Sequence, residues 1–307
     1  MFARIVLLSI SSALLACDAR PTASGPADLT PDLPVEAPAD PVESGAPGSY
    51  ADALAPLDPS DPESFAEAVA AFGAEYPAGG ESEARRIELL TAFVLSIANA
   101  SNPQVQDDPA LLAAACAGVG VECGGPPTEQ AVAALEGFAA RGVRFDYAGE
   151  GTVQAAVDYG VLAQRLGDHI SPAARAVLEA TDATARAESR YDEGGYNGDP
   201  NLMAQALLQW EAVVATADPL YLDDAEAEAA RLRTAYLRLC DHGEWETPPC
   251  NARKPLQASY ATFIAEHPDS PSTPAVTALR KALKAKRWKA TAEQLDAMVS
   301  AALAASL

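Results

Sequence analysis

Lysine is scarce in this chain and confined: all five lysines fall between Lys254 and Lys289, and the first 253 residues hold none. Histidine is almost absent, with three copies far apart, so a histidine-based metal or acid–base cluster has little to build from. Aromatic residues make up 6% of the 307 residues. After residue 16 no uninterrupted apolar run approaches the roughly 20 residues a membrane-spanning helix needs. Basic residues are outnumbered 21 to 43 by acidic ones, leaving a net charge of -22. Such a surface repels phosphate backbones and excludes nucleic acid as a general partner.

What is plentiful is alanine. It dominates an apolar fraction of 49%, and with few β-branched or aromatic residues it favours helix. An all-α body is therefore expected, large enough for one sizeable core or two small ones.

The first stretch is organised differently. Arg4 supplies a positive start, residues 5–16 are apolar apart from serines, and Leu14-Leu15-Ala16-Cys17 closes the run. That order of charge, apolar segment and small residue is the pattern of a secretory signal. The tetrapeptide resembles the lipobox of bacterial lipoproteins, which implies that residues 1–16 are removed and that Cys17 is acylated as the mature N-terminus. The resemblance implies a membrane partner through that lipid, and a body facing the periplasm or the exterior of the bacterial envelope. Asp18 matches the inner-membrane retention pattern of enterobacteria, but the choice of membrane stays open.

Residues 17–60 are rich in Pro, Ala, Gly, Ser, Asp and Glu and poor in large apolar groups, so they are expected to form a disordered tether. A flexible chain of that length has a span of about 35 Å.

Four cysteines remain beyond Cys17, and an oxidising compartment makes two disulfides the expectation. Three pairings are possible. Cys116 with Cys123 and Cys240 with Cys250 each flank a short Gly- or Pro-containing segment, which favours local pairing. Cys240-Asp-His242 raises zinc as a competitor, without the CxxC spacing that such sites commonly show. No metal and no cofactor are expected.

Helix signals start at Asp61-Pro62-Glu63 and carry Phe65, Val69, Phe72 and Tyr76 at helical spacing. A second helix begins near Ser82, with Ile87, Leu90, Val94 and Ile97 on one face. Further helices are predicted over 108–117, 128–140, 152–167 and 171–191. The segment 141–151 reads as a loop with at most a brief extended run, and no strand is predicted. In the second half, Met203, Leu207, Trp210 and Val214 mark a helix, and Asp223 with Glu226 forms a capping-box pattern for the next. Leu256, Tyr260 and Phe263 precede His267-Pro268; Thr273-Pro274 starts a helix, and Thr291 with Gln294 caps the last. The organisation expected is an N-terminal helical region over 61–190 and a C-terminal one over 191–307.

A phrase recurs in that train. Phe72-Gly-Ala-Glu-Tyr76-Pro77 and Phe263-Ile-Ala-Glu-His267-Pro268 both place an aromatic and a proline at the end of a helix. This resembles the tetratricopeptide-type hairpin, in a form found in bacterial envelope lipoproteins. The resemblance implies an irregular array of antiparallel helical hairpins that binds an envelope protein partner and has no catalytic activity.

Two other stretches bear on function. Glu188-Ser189-Arg190-Tyr191 resembles the E-S-R-aromatic motif of lytic transglycosylases, which implies, as an alternative, peptidoglycan cleavage with Glu188 as general acid and base. The Gly-Ala-x-Gly stretch and the Ala-Tyr-Asn motif of that family are missing. Arg280, Lys281, Lys284, Lys286, Arg287 and Lys289 surround Trp288 in an otherwise acidic chain. That cluster suits either a solvated helix face or a contact with anionic lipid or an acidic partner, made through Arg280, Lys284, Arg287 and Trp288.

Overall fold

The structure, a computed structural model, describes residues 48–74, 81–149, 151–192, 195–196, 198–216, 218–239 and 254–304. Cys17 and the Cys240 to Cys250 segment, with His242, lie outside the described residues.

The fold is all-α in class, as composition predicts. Twelve α-helices are present among the described residues: α1 (Tyr50–Leu54), α2 (Ser64–Phe72), α3 (Glu83–Asp107), α4 (Pro109–Gly118), α5 (Glu129–Ala140), α6 (Tyr159–Leu166), α7 (Pro172–Glu188), α8 (Pro200–Thr216), α9 (Leu222–Leu237), α10 (Lys254–Glu266), α11 (Thr273–Ala285) and α12 (Ala292–Ala304). Two small antiparallel hairpins interrupt them, β1 (Val143–Gly149) with β2 (Thr152–Val157), and β3 (Tyr191–Asp192) with β4 (Gly195–Tyr196).

The first departure from expectation is α1, which falls inside the segment assigned to the tether. Tyr50 is the cause. Its ring is fully buried edge-on against Phe72 at 5.5 Å, its hydroxyl donates to the Ala68 carbonyl, and its backbone N–H donates to Glu81. Ser49 caps the helix by accepting from Asp52 N–H. The folded body thus begins by residue 49, not at residue 61.

The second departure is β1 and β2, where a loop and the start of a helix were expected. Val153, Ala155 and Val157 alternate inward, a period of two that the helix-forming Ala155-Ala156 pair obscures. The hairpin lies on α3, and α3 closes its outer edge: Asn102 accepts from Ala155 N–H at 2.7 Å, and Gln106 one turn later donates to the Val153 carbonyl. Without those side chains β2 would leave peptide groups unsatisfied under the helix. Gly149 and Gly151, with φ of 95° and 75°, turn the chain between the strands.

Asp61-Pro62 does not open α2, which begins at Ser64 with no side-chain cap, but the other starts are largely as the caps predict. Ser82, Asp108, Thr128 and Ser171 each accept from the first turn of their helix, and Pro109 and Pro172 occupy its first position. Thr291 and Gln294 exchange two hydrogen bonds as a capping box. The Asp223 to Glu226 pattern is not used this way. Asp218 ends the preceding turn instead, its carbonyl accepting from Tyr221 and Leu222 N–H, so α9 has begun before Asp223 is reached.

From α6 to α9, and again from α10 to α12, each helix packs on the next along the chain, and α10 packs back on α8. Where α9 meets α10 the contact is made by rings, Tyr236 edge-on to Tyr260 at 5.1 Å. Tyr260 donates to the Tyr236 and Leu237 carbonyls, satisfying the C-terminal end of α9. One apolar cluster runs from Tyr50 to Ala302, drawing on both sides of residue 190.

Candidate functional site

The predicted site residues are dispersed. Cys116 and Cys123 are bonded, with Cα atoms 5.7 Å apart. The bond closes the end of α4 over a turn in which Val121 N–H donates to the Cys116 carbonyl. His169 sits in a short 3₁₀ turn after α6 with its ring against Gly73, where a Cβ would come within 2.7 Å of the imidazole. His267 ends α10 with its ring tilted over Phe263, as the aromatic-proline turn requires. No group of three or more metal-ligating side chains exists among the described residues.

Glu188 is half-buried. It is the last residue of α7, and its carboxylate accepts from the Arg231 guanidinium of α9. Arg231 also binds Glu228 at 2.8 Å. Any proton delivery by Glu188 to a substrate would first have to break the contact with Arg231.

Trp288 is half-buried, its ring stacked on Tyr260 with centroids 6.4 Å apart. Lys281, Lys284, Lys286, Arg287 and Lys289 around it are exposed.

Two polar clusters escaped the sequence reading. The first joins β1, the start of α6 and α7. Arg144 binds Asp146 at 3.0 Å and Asp182 at 3.3 Å, while Arg186 binds Asp182 at 2.6 Å and Asp158 at 3.5 Å. The hydrogen bond to Asp182 raises the Arg186 pKa above the ordinary guanidinium value, against the effect of burial. Burial likewise raises the neighbouring Tyr159 phenol, and Arg144 partly offsets it. Each carboxylate in this chain of charges already has a guanidinium partner, so the cluster acts as a tie between elements.

Beside it opens a cleft of about 330 Å³ between α6, α7 and α8, lined by Gly160, Asp182, Arg186, Leu202, Gln205 and Gln209. Gly160 brings backbone close to Asp158 and Asp182, where a Cβ would sit 3.3 Å from each carboxylate. Gln209 Oε1 is buried there without a hydrogen-bond partner. Only Asp182 and Arg186, four apart on one helix, were legible as a pair.

The second cluster ties the turn after α10 to the preceding helices. Glu211 of α8 is buried and accepts from Ser270 and Ser272, and Arg233 of α9 donates to Ser272 at 2.6 Å. The polar residues following His267-Pro268 are thus the plug that seats the turn.

No family model, no curated protein and no solved structure matches this chain.

Proposed function

We propose that the protein is a bacterial envelope lipoprotein, acylated at Cys17, whose helical body binds another envelope protein. The observation that carries the binding role is the succession from α6 to α12, in which α6 to α9 and α10 to α12 pack on their chain neighbours and the two runs join where Tyr260 meets Tyr236. Each such helix turns one stripe inward and leaves the other for partners, the arrangement helical-hairpin arrays use to present long surfaces. The polar ties support this reading, because carboxylates and guanidinium groups in them are engaged with one another: Glu188 with Arg231, Glu211 with Arg233 and Asp182 with Arg186. The Leu14-Leu15-Ala16-Cys17 segment supplies the anchor.

The test is site-directed crosslinking in intact envelopes, with probes on the exposed faces of α8, α9 and α11, alongside muropeptide release from purified sacculi. A scaffold gives discrete adducts from one face that survive Glu188→Gln, and releases nothing. Soluble muropeptides from wild type but not from Glu188→Gln would overturn the reading in favour of peptidoglycan cleavage.

A further inference from the structure

Six cations lie within residues 280–289, and no Asp or Glu occurs between Asp269 and Glu293. In a chain with 43 acidic residues, that is where the local sign reverses. Elsewhere Arg85, Arg144, Arg175, Arg186, Arg231, Arg233 and Arg238 each lie within 4.0 Å of a carboxylate, while Arg86 and Arg141 lie over phenylalanine rings. None of the six at 280–289 pairs with a described carboxylate. Among the described residues, neutralisation of acidic neighbours therefore does not account for them.

Arg280 is half-buried, with its Nε unpartnered, and the other five are exposed. Lys281 and Lys284 are exposed on α11, opposite the buried Val276, Leu279 and Leu283. Lys286, Arg287 and Lys289 are exposed in the turn that follows. That turn is a Schellman ending: Trp288 N–H donates to the Leu283 carbonyl at 2.7 Å and Arg287 N–H to Lys284 at 3.0 Å. Arg287 and Trp288 have φ of 55° and 59°, the left-handed region that glycine normally supplies. Stacking on Tyr260 holds Trp288 in place. The chain thus keeps an exposed cation at the position where glycine would fold with least strain.

We propose that the end of α11 and its turn form a contact site for anionic phospholipid headgroups, an inference that rests on the Cys17 anchor for bringing the body to a bilayer. The division of labour between the two cation types favours lipid over an acidic protein. Arginine, with its planar fork, makes the fixed pairs with carboxylates in the body; lysine, a compact point charge suited to a fluid array of phosphates, supplies four of the six cations here. Because the chain as a whole is acidic, this patch would turn the body one way towards the membrane.

The test uses the mature chain with Cys17→Ser, which takes no acyl group, and vesicles of phosphatidylcholine alone or mixed with phosphatidylglycerol. Sedimentation with the anionic vesicles only, weakened by salt, is expected. Losing one cation should weaken binding about fivefold, and Lys281→Ser with Lys284→Ser and Lys286→Ser together should lose more than tenfold. Arg287→Gly should bind about fivefold more weakly yet melt at a higher temperature, a combination that misfolding cannot produce. Equal binding to both vesicles, no binding to the anionic ones, or a triple variant that binds as wild type would overturn the proposal. An unacylated Cys17 in the native protein would instead remove the anchor while leaving the vesicle result intact.

Discussion

The carboxylate of Glu188 accepts a hydrogen bond from the guanidinium of Arg231, joining the last residue of α7 to the middle of α9. Burial alone would lower the Arg231 pKa, but Glu188 and Glu228 outweigh it and raise it. One guanidinium thus serves two carboxylates, and the pair is asymmetric to mutation. Arg231→Ala strands both acids and should cost about 2 kcal/mol. Glu188→Gln keeps a hydrogen-bonding side chain and leaves Arg231 paired with Glu228, so about 0.5–1 kcal/mol is expected. Urea unfolding of the two variants checks the order; a larger loss from Glu188→Gln would contradict it.

Glu211 poses a sharper case because it is buried. Ser272 is fully buried between Glu211 and Arg233, so Ser272→Ala removes a donor to the acid and an acceptor for the guanidinium at once. A loss of about 1–3 kcal/mol is expected in thermal or urea unfolding. Hydrogen exchange should show the turn between α10 and α11 opening first in that variant. Unchanged protection there would mean that the turn is held by something else.

Buried tyrosines make the fold sensitive to alkali. Burial raises the phenols of Tyr236 and Tyr260, and burial with the Glu83 charge raises Tyr221. Folded values above the unfolded one mean that this stability is complete below about pH 10 and is lost as pH climbs towards the folded values. Each such tyrosine contributes a slope of up to about 1.4 kcal/mol per pH unit. Urea midpoints at about pH 9 and about pH 11 should fall accordingly, and Tyr221→Phe should lessen the fall. A midpoint independent of pH across that range would be inconsistent with buried phenols.

The disulfide between Cys116 and Cys123 closes a short loop, worth about 2–3 kcal/mol in the chain-entropy description. Cys116→Ser with Cys123→Ser should lower stability by that amount without changing helix content, measured by circular dichroism during urea unfolding. Non-reducing peptide mapping should recover the Cys116 to Cys123 link. A crossed pairing with Cys240 or Cys250 would contradict it.

Helix class and most helix starts were legible because their signals are local. Ser82, Asp108, Thr128 and Ser171 cap from their own side chains, and Pro109 and Pro172 set the first turn. Elements that depend on distant partners were not. Tyr50 folds α1 only because Phe72, Ala68 and Glu81 receive it, and Val153 to Val157 become a strand only because Asn102 and Gln106 occupy its edge. The same limit governed the polar sites. Asp182 and Arg186 are four apart and could be paired from sequence, whereas Arg144 and Asp158 reach them through the fold. The basic cluster at 280–289 was visible as composition, but that its cations go unpaired, and that Trp288 faces Tyr260, took the structure to see.

The account depends most on Cys17. Mass analysis of the N-terminal peptide from protein extracted with detergent from envelopes tests it directly. The account predicts a mature chain that starts at Cys17 with acyl groups on that residue, and a Cys17→Ser protein that leaves the membrane fraction. A chain that starts elsewhere, an unmodified Cys17 thiol, or full membrane retention of Cys17→Ser would contradict it.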